Sequence, residues 1–121
     1  MSSVQRTLKV LRSLGYVCAV CEKWNPHVKI RQDLFGFIDI ICLQPNVLGV
    51  LAIQVTTHSN ISSHRHKLAS NKNIRMWLLT GNKVDIISWG KQGSRGKRKV
   101  WKMKRESISL EDICSMSVEE K

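Results

Sequence analysis

The sequence predicts an α/β or α+β domain, a central sheet with helices packed against it. Three observations carry this. An amphipathic helix opens the chain. Two nearly continuous apolar, β-branched runs follow at 35–43 and 47–57. Further β-prone segments are separated by Asn-Pro, Pro-Asn and Gly-Asn turn signals. At 121 residues the chain is one domain, spanning 1–121.

Ser2 followed by Gln5 is a capping-box pattern, and Val4, Leu8, Leu11 and Leu14 recur at helical spacing. This predicts a helix over 3–14, with Gly15 ending it in a left-handed conformation. Tyr16 to Lys23 is β-prone, and Asn25-Pro26 breaks it. The runs 35–43 and 47–57 suit strands buried on both faces, paired as a hairpin about Pro45-Asn46. Ser59 or Asn60 can cap a short helix reaching Ser70. Ile74 to Leu79 reads as a strand, and Val84 to Trp89 as another after Gly81-Asn82. Lys91 to Lys99 is a glycine-rich basic loop, and Val100 to Arg105 alternates as a last strand. Ser109 can cap a short acidic terminal helix. The predicted order is α-β-β-β-α-β-β-β-α.

Twenty Lys and Arg against nine Asp and Glu give a net charge of +11. Such a field attracts polyanions, nucleic acid before an anionic membrane surface or an acidic protein. Lys91, Arg95, Lys97, Arg98, Lys99, Lys102, Lys104 and Arg105 fall in one stretch with Gly93 and Gly96. That composition suits an arm that follows phosphates, or else a solvated charged hairpin. Phosphate contacts carry no sequence information, so recognition of DNA structure is expected more than of sequence. No small-molecule substrate is indicated. The start of the chain lacks an apolar leader core and no apolar run is long enough to span a bilayer. The expected place is therefore cytoplasmic.

Cys18 and Cys21 form a C-x-x-C without a second pair or histidines at finger spacing. On a strand their side chains point to opposite faces, so reduced, buried thiols are expected for this pair. His64 and His66 are two apart on a helix and share no face. They read as phosphate contacts or as a plain exposed helix. Trp24, Trp77, Trp89 and Trp101 read as core or interface residues, with Trp24 also placed to stack on a base.

Each apolar run carries one polar residue, Asp39 in the first and Gln54 in the second. Burying either needs a reason. Pairing about Pro45-Asn46 sets Asp39 opposite roughly residue 52, with Gln54 nearby only after a register offset. A carboxylate and an amide oxygen on neighbouring strands could together hold a hard divalent cation. Equally, Asp39 could be a buried acid paired with Arg31 or Arg65. Thr56 faces the same side as Gln54, and Asp33 and Glu22 could supply outer ligands.

The segment Arg31-Gln32-Asp33-Leu34-Phe35-Gly36-Phe37-Ile38-Asp39, followed by Leu51-Ala52-Ile53-Gln54-Val55-Thr56, resembles the core of the PD-(D/E)xK nuclease superfamily. It is most similar to small phage-type members related to Holliday junction resolvases and to virus-type replication-repair nucleases. The likeness takes in Glu22-Lys23-Trp24-Asn25-Pro26, His64-Arg65-His66-Lys67 and Met76-Trp77-Leu78-Leu79, and so most of the chain.

It implies a restriction-endonuclease-like mixed sheet flanked by helices, α-β-β-β-α-β plus a C-terminal hairpin. It also implies Mg²⁺- or Mn²⁺-dependent hydrolysis of DNA phosphodiester bonds, structure-selective for branches or junctions, by a homodimer in a phage- or virus-infected host cell. Asp39 matches the family's metal-bridging Asp. Gln54 stands where the family usually has an acid, and Thr56 where it usually has Lys. Asp39, Gln54 and the Val55 carbonyl would hold the metal, with Asp33 or Glu22 completing a second site. Lys67 or Arg65 would replace the missing Lys, and Arg31 and Arg65 would join the phosphate contacts. The alternative reading is a non-catalytic nucleic-acid-binding module on the same fold.

Overall fold

In the computed structural model, residues 2–21 and 23–119 are described, with only the backbone at 23–25, 30–31 and 115–119. Helix α1 spans Ser3–Ser13. The Ser2 hydroxyl accepts the Gln5 N–H at 3.2 Å, as the capping pattern requires. Gly15 has φ +87°, and the Tyr16 N–H closes on the Leu11 carbonyl at 3.2 Å. Leu8 and Leu11 are buried, whereas Leu14, beyond the last turn, is exposed.

Strands β1 (Val17–Val20), β4 (Ile40–Leu43), β5 (Leu51–Thr57), β6 (Lys83–Gln92) and β7 (Val100–Ile108) form one sheet in the order β1-β4-β5-β6-β7. Among the described residues only the β5–β6 pair is parallel. Strands β2 (Lys23–Asn25) and β3 (Ile30–Gln32) pair separately. A parallel pair needs a long crossover, and here it runs through helices α2 (Ile61–Ala69) and α3 (Ile74–Leu79). Helix α4 (Leu110–Glu119) ends the fold. Its Ser109 hydroxyl accepts the Asp112 N–H, and the Asp112 carboxylate takes the Ser109 N–H in return.

The sheet has helices on both faces. On one, Leu8 and Leu11 of α1 pack with Ile40, Cys42, Leu51, Ile53, Ile87 and Trp89. The Trp89 indole N–H donates to the buried Thr7 hydroxyl at 2.8 Å, which satisfies both groups inside that layer. On the other, Leu68, Ile74 and Ile113 from α2, α3 and α4 pack with Phe37, Ile38, Ala52, Val84, Ile86 and Ile108. A fully buried side chain of this kind contributes about 1.5–3 kcal/mol, so the two faces hold the fold.

The structure corrects several expectations. Ile74–Leu79 is a helix and not a strand. Ile74, Trp77 and Leu78 face the core at i, i+3 and i+4, a helical period that the short apolar run concealed. The strand expected from residue 35 begins at Ile40, because Phe35 and Gly36 both have positive φ and form a turn. The strand expected over 16–23 is split into β1 and β2. Strand β6 continues to Gln92, so the basic loop is shorter than expected and lies at the tip of a long hairpin with β7. Asn60 makes no side-chain cap at α2.

Trp101 is 42% exposed, lying under the Arg6 guanidinium at 4.0 Å, and is not core. Cys18 and Cys21 are half-buried, against the expectation of burial, and Cys114 is exposed. The sulfurs of Cys18 and Cys42 lie 3.2 Å apart across the β1–β4 pair as free thiols. Burial, with Cys18 beside it, pushes the Cys42 thiol far above its ordinary range. No helix among the described residues is long and apolar enough to cross a membrane.

Candidate active site

Asp39 stands at a bend where the ladder slips. Ile40 already pairs with Ile53, yet the Asp39 N–H also donates to the Ile53 carbonyl at 3.0 Å. Two residues of one strand thus face one of the next, the signature of a β-bulge. The Asp39 carbonyl turns the other way and accepts the Cys21 N–H at 2.8 Å. The backbone is tied to both neighbouring strands, and the carboxylate is carried towards β5. There Asp39 Oδ2 accepts the Val55 N–H at 2.8 Å. The register expected about Pro45-Asn46 is therefore replaced by one in which Asp39 lies opposite Ile53 and reaches past Gln54.

Gln54 is wholly buried, and neither its amide nitrogen nor its amide oxygen has a hydrogen-bond partner. An unmet buried amide costs about 1–3 kcal/mol, and native interiors rarely tolerate one without a reason. Thr56 is also buried, two residues along the same face. A residue's N–H and C=O point to the same edge of a strand, so the Val55 carbonyl faces the side on which Asp39 sits. The Asp39 carboxylate, the Gln54 amide and the Val55 carbonyl are oxygen donors of the kind hard divalent cations prefer. The orphaned Gln54 oxygen is the feature that fits a bound ion. Among the described residues no three His, Cys, Asp or Glu side chains come together as a metal centre.

The basic candidates separate. The Lys67 ammonium lies 3.9 Å from Asp33, and its side chain is about half exposed. Arg65 turns to β7 instead, where both oxygens of Glu106 accept from its Nη2 at 2.5 and 2.6 Å. Glu106 is thus the carboxylate that engages Arg65. Arg65, Ser88, Lys104 and Glu106 line a cleft of about 480 Å³ beside Ile86, the register neighbour of Gln54. Arg31 lies outside the residues whose side chains are described, and Glu22 and the Trp24 side chain are likewise outside.

Sequence reasoning passed over His64 as a member of this group. It is half-buried, and its Nδ1 has no hydrogen-bond partner. Burial holds its imidazole below its ordinary range, the Lys67 charge adds to this, and Asp33 opposes it. The sequence signal was available, since His64 and Lys67 are three apart on one helix.

The hairpin β6–β7 extends beyond the last residue of β5. Thr57 pairs with Trp89, and the hairpin then continues through Gly90, Lys91 and Gln92 opposite Lys102, Trp101 and Val100. Lys91, Arg95, Lys97, Arg98, Lys99, Lys102 and Lys104 are all exposed on it. The His58 ring sits against Gly90, where a Cβ would stand 2.3 Å from it, and its Nδ1 meets the Ser88 hydroxyl at 2.9 Å. No protein-family model, curated protein or solved structure matches this chain.

Proposed function

We propose that this chain is a metal-dependent endonuclease-like protein that hydrolyses phosphodiester bonds in DNA, selecting branched or junction structure more than sequence. The observation that carries the reading is Gln54, a buried amide with both polar atoms orphaned. It stands beside the Val55 amide that Asp39 holds. The element order supports it as well. The chain has an N-terminal helix, an antiparallel β1-β4-β5 meander and a helical crossover to the parallel β6, within a mixed sheet flanked by helices.

Asp39, Gln54 and the Val55 carbonyl would hold Mg²⁺ or Mn²⁺, with Asp33 or Glu22 the accessory acid that the resemblance offers. Bound there, the cation would supply Lewis-acid chemistry that activates a water and polarises a phosphate oxygen. The chain's own residues do the rest. The Val55 N–H fixes the Asp39 carboxylate. Lys67 brings positive charge to the α2 side, where charge on phosphorus would develop. The exposed cations of the hairpin hold the DNA backbone. In the homodimer implied by the resemblance, two such arms would grip one substrate.

A non-catalytic DNA-binding module is the second reading. It is favoured by the neutral Gln54 and Thr56, which stand where the resemblance expects an acid and a Lys.

The test is incubation with labelled linear duplex, single-stranded, flap and four-way-junction DNA. Each substrate is run with Mg²⁺, with Mn²⁺, with EDTA and with Asp39→Ala. The nuclease reading requires metal-dependent cutting that vanishes in Asp39→Ala. Binding without cutting in either metal leaves the binding module.

A further inference from the structure

Phe35 sits in a turn that disfavours its side chain. Backbone φ is +56° at Phe35 and +82° at Gly36, and the Phe37 N–H closes on the Leu34 carbonyl at 3.3 Å. Two consecutive positive φ values are normally met by Asn-Gly, Asp-Gly or Gly-Gly. A bulky residue at the first of them is strained, and such strain persists only where surrounding structure enforces it. Here the side-chain amides of Asn71 and Asn73 both donate to the Phe35 carbonyl, at 3.1 and 3.4 Å. The ring is nevertheless 52% exposed, so core packing does not account for it.

That ring is one wall of a pocket of about 310 Å³, completed by Asn73, Met76, Trp77, Thr80 and Asn82. Phe35 and Trp77 have ring centroids 6.3 Å apart and planes inclined at 55°. Trp77 is held from behind by Phe37 and by its indole N–H, which donates to the Lys83 carbonyl at 2.8 Å. Met76 is 66% exposed. The walls are apolar and aromatic, and the rim carries two amides and a hydroxyl.

Charge identifies the occupant. From residue 40 to residue 84 the chain has no Asp or Glu, while it has Arg65, Lys67, Lys72, Arg75 and Lys83. Lys72 and Arg75 bracket Asn73 and Ile74 and are exposed. An aromatic pocket with an amide rim in a uniformly basic stretch has the chemistry that receives a base while cations hold its phosphates. A second copy seated by this same face would set like charges against each other at this rim.

We propose that this pocket takes one unstacked nucleobase, with Phe35 against its ring and Asn73 and Asn82 at its edge. Only Gly36, Phe37 and Ile38 separate Phe35 from Asp39. A base lifted out of pairing here would thus lie close to the strand that reaches Asp39, and would select DNA with unpaired bases. The inference rests on the nucleic-acid reading above.

The test is binding in EDTA, by fluorescence anisotropy, of a labelled single strand and of the same strand with a run of central abasic sites. Wild type, Phe35→Gly and Met76→Ala are compared, with duplex as the control. Wild type should favour the base-bearing strand roughly tenfold. Both variants should lose that preference and keep their duplex affinity. Phe35→Gly should melt no lower than wild type, because glycine adopts this φ freely. No preference in wild type, or a preference kept in both variants, would overturn the pocket. Metal-dependent cutting without base preference would leave the nuclease standing and remove the pocket. Base preference without cutting would do the reverse, and failure to bind any nucleic acid would end both.

Discussion

The carboxylate of Asp39 accepts the backbone N–H of Val55 at 2.8 Å, bridging from a β-bulge on one strand to the residue after Gln54 on the next. One side chain thereby fixes the spacing of two strands and directs a buried negative charge at the candidate site.

Replacing Asp39 should separate its two roles. Asp39→Asn keeps an acceptor for Val55, whereas Asp39→Ala leaves that N–H bare. Loss of a hydrogen bond to a charged group costs about 1.5–3 kcal/mol, so Asp39→Ala should melt well below wild type, with Asp39→Asn between them. Both should lose metal-dependent DNA cutting. Thermal melts and a cleavage assay on the same samples read the two effects apart.

Gln54 should show the opposite sign. Gln54→Leu removes a buried, orphaned amide, so in EDTA it should stabilise the fold by about 1 kcal/mol. It should also abolish any rise in melting temperature on adding Mg²⁺. Gln54→Glu should destabilise the fold in EDTA, where a buried carboxylate lacks a partner, and should strengthen the response to Mg²⁺. Melting curves with and without the cation decide both.

His64 gives the fold a pH dependence. Burial, with Lys67, holds its folded-state pKa below its ordinary value of 6.5. The unfolded chain then binds the proton more readily. The stability this histidine allows is complete above pH 6.5 and is lost as pH falls through the depressed folded value. His64→Gln should flatten that part of the stability curve, measured by denaturant unfolding in EDTA between neutral and mildly acidic pH.

The hairpin cations should govern salt dependence and not stability. Joint replacement of Arg95, Lys97, Arg98 and Lys99 by Ala should lower the slope of log affinity against log salt by about 0.9 for each phosphate no longer neutralised. All four are exposed, so the melting temperature should barely move. An unchanged slope would show that DNA is held elsewhere.

Local chemistry was legible in the sequence wherever one signal stood alone. The Ser2 cap, the stop at Gly15 and the Ser109–Asp112 box are each written in a few adjacent residues, and the structure has them. Asp39 and Gln54 stood out because polar residues in apolar strands demand a reason. The register between them was not legible, because it depends on a bulge set by bonds to two other strands. Ile74–Leu79 was misread because a six-residue apolar run fits both periods, and only the core it packs against chooses. That Arg65 turns to Glu106 while Lys67 faces Asp33 follows from tertiary placement alone.

Arg105 and Glu106 are adjacent in β7, and their side chains leave the strand on opposite faces. Arg105 grips Asp85 at 2.6 Å and Glu106 grips Arg65 at 2.5 Å. Further out, Arg6 of the first helix presses on Trp101. Mechanically the hairpin is a cantilever: Glu106 ties its root to α2, Arg105 ties its two strands to each other, and residues 93–99 form its tip. A load there bends the tip first. What reaches the root meets α2 through the Glu106–Arg65 pair, and what is taken up further out meets α1 through Trp101 and Arg6.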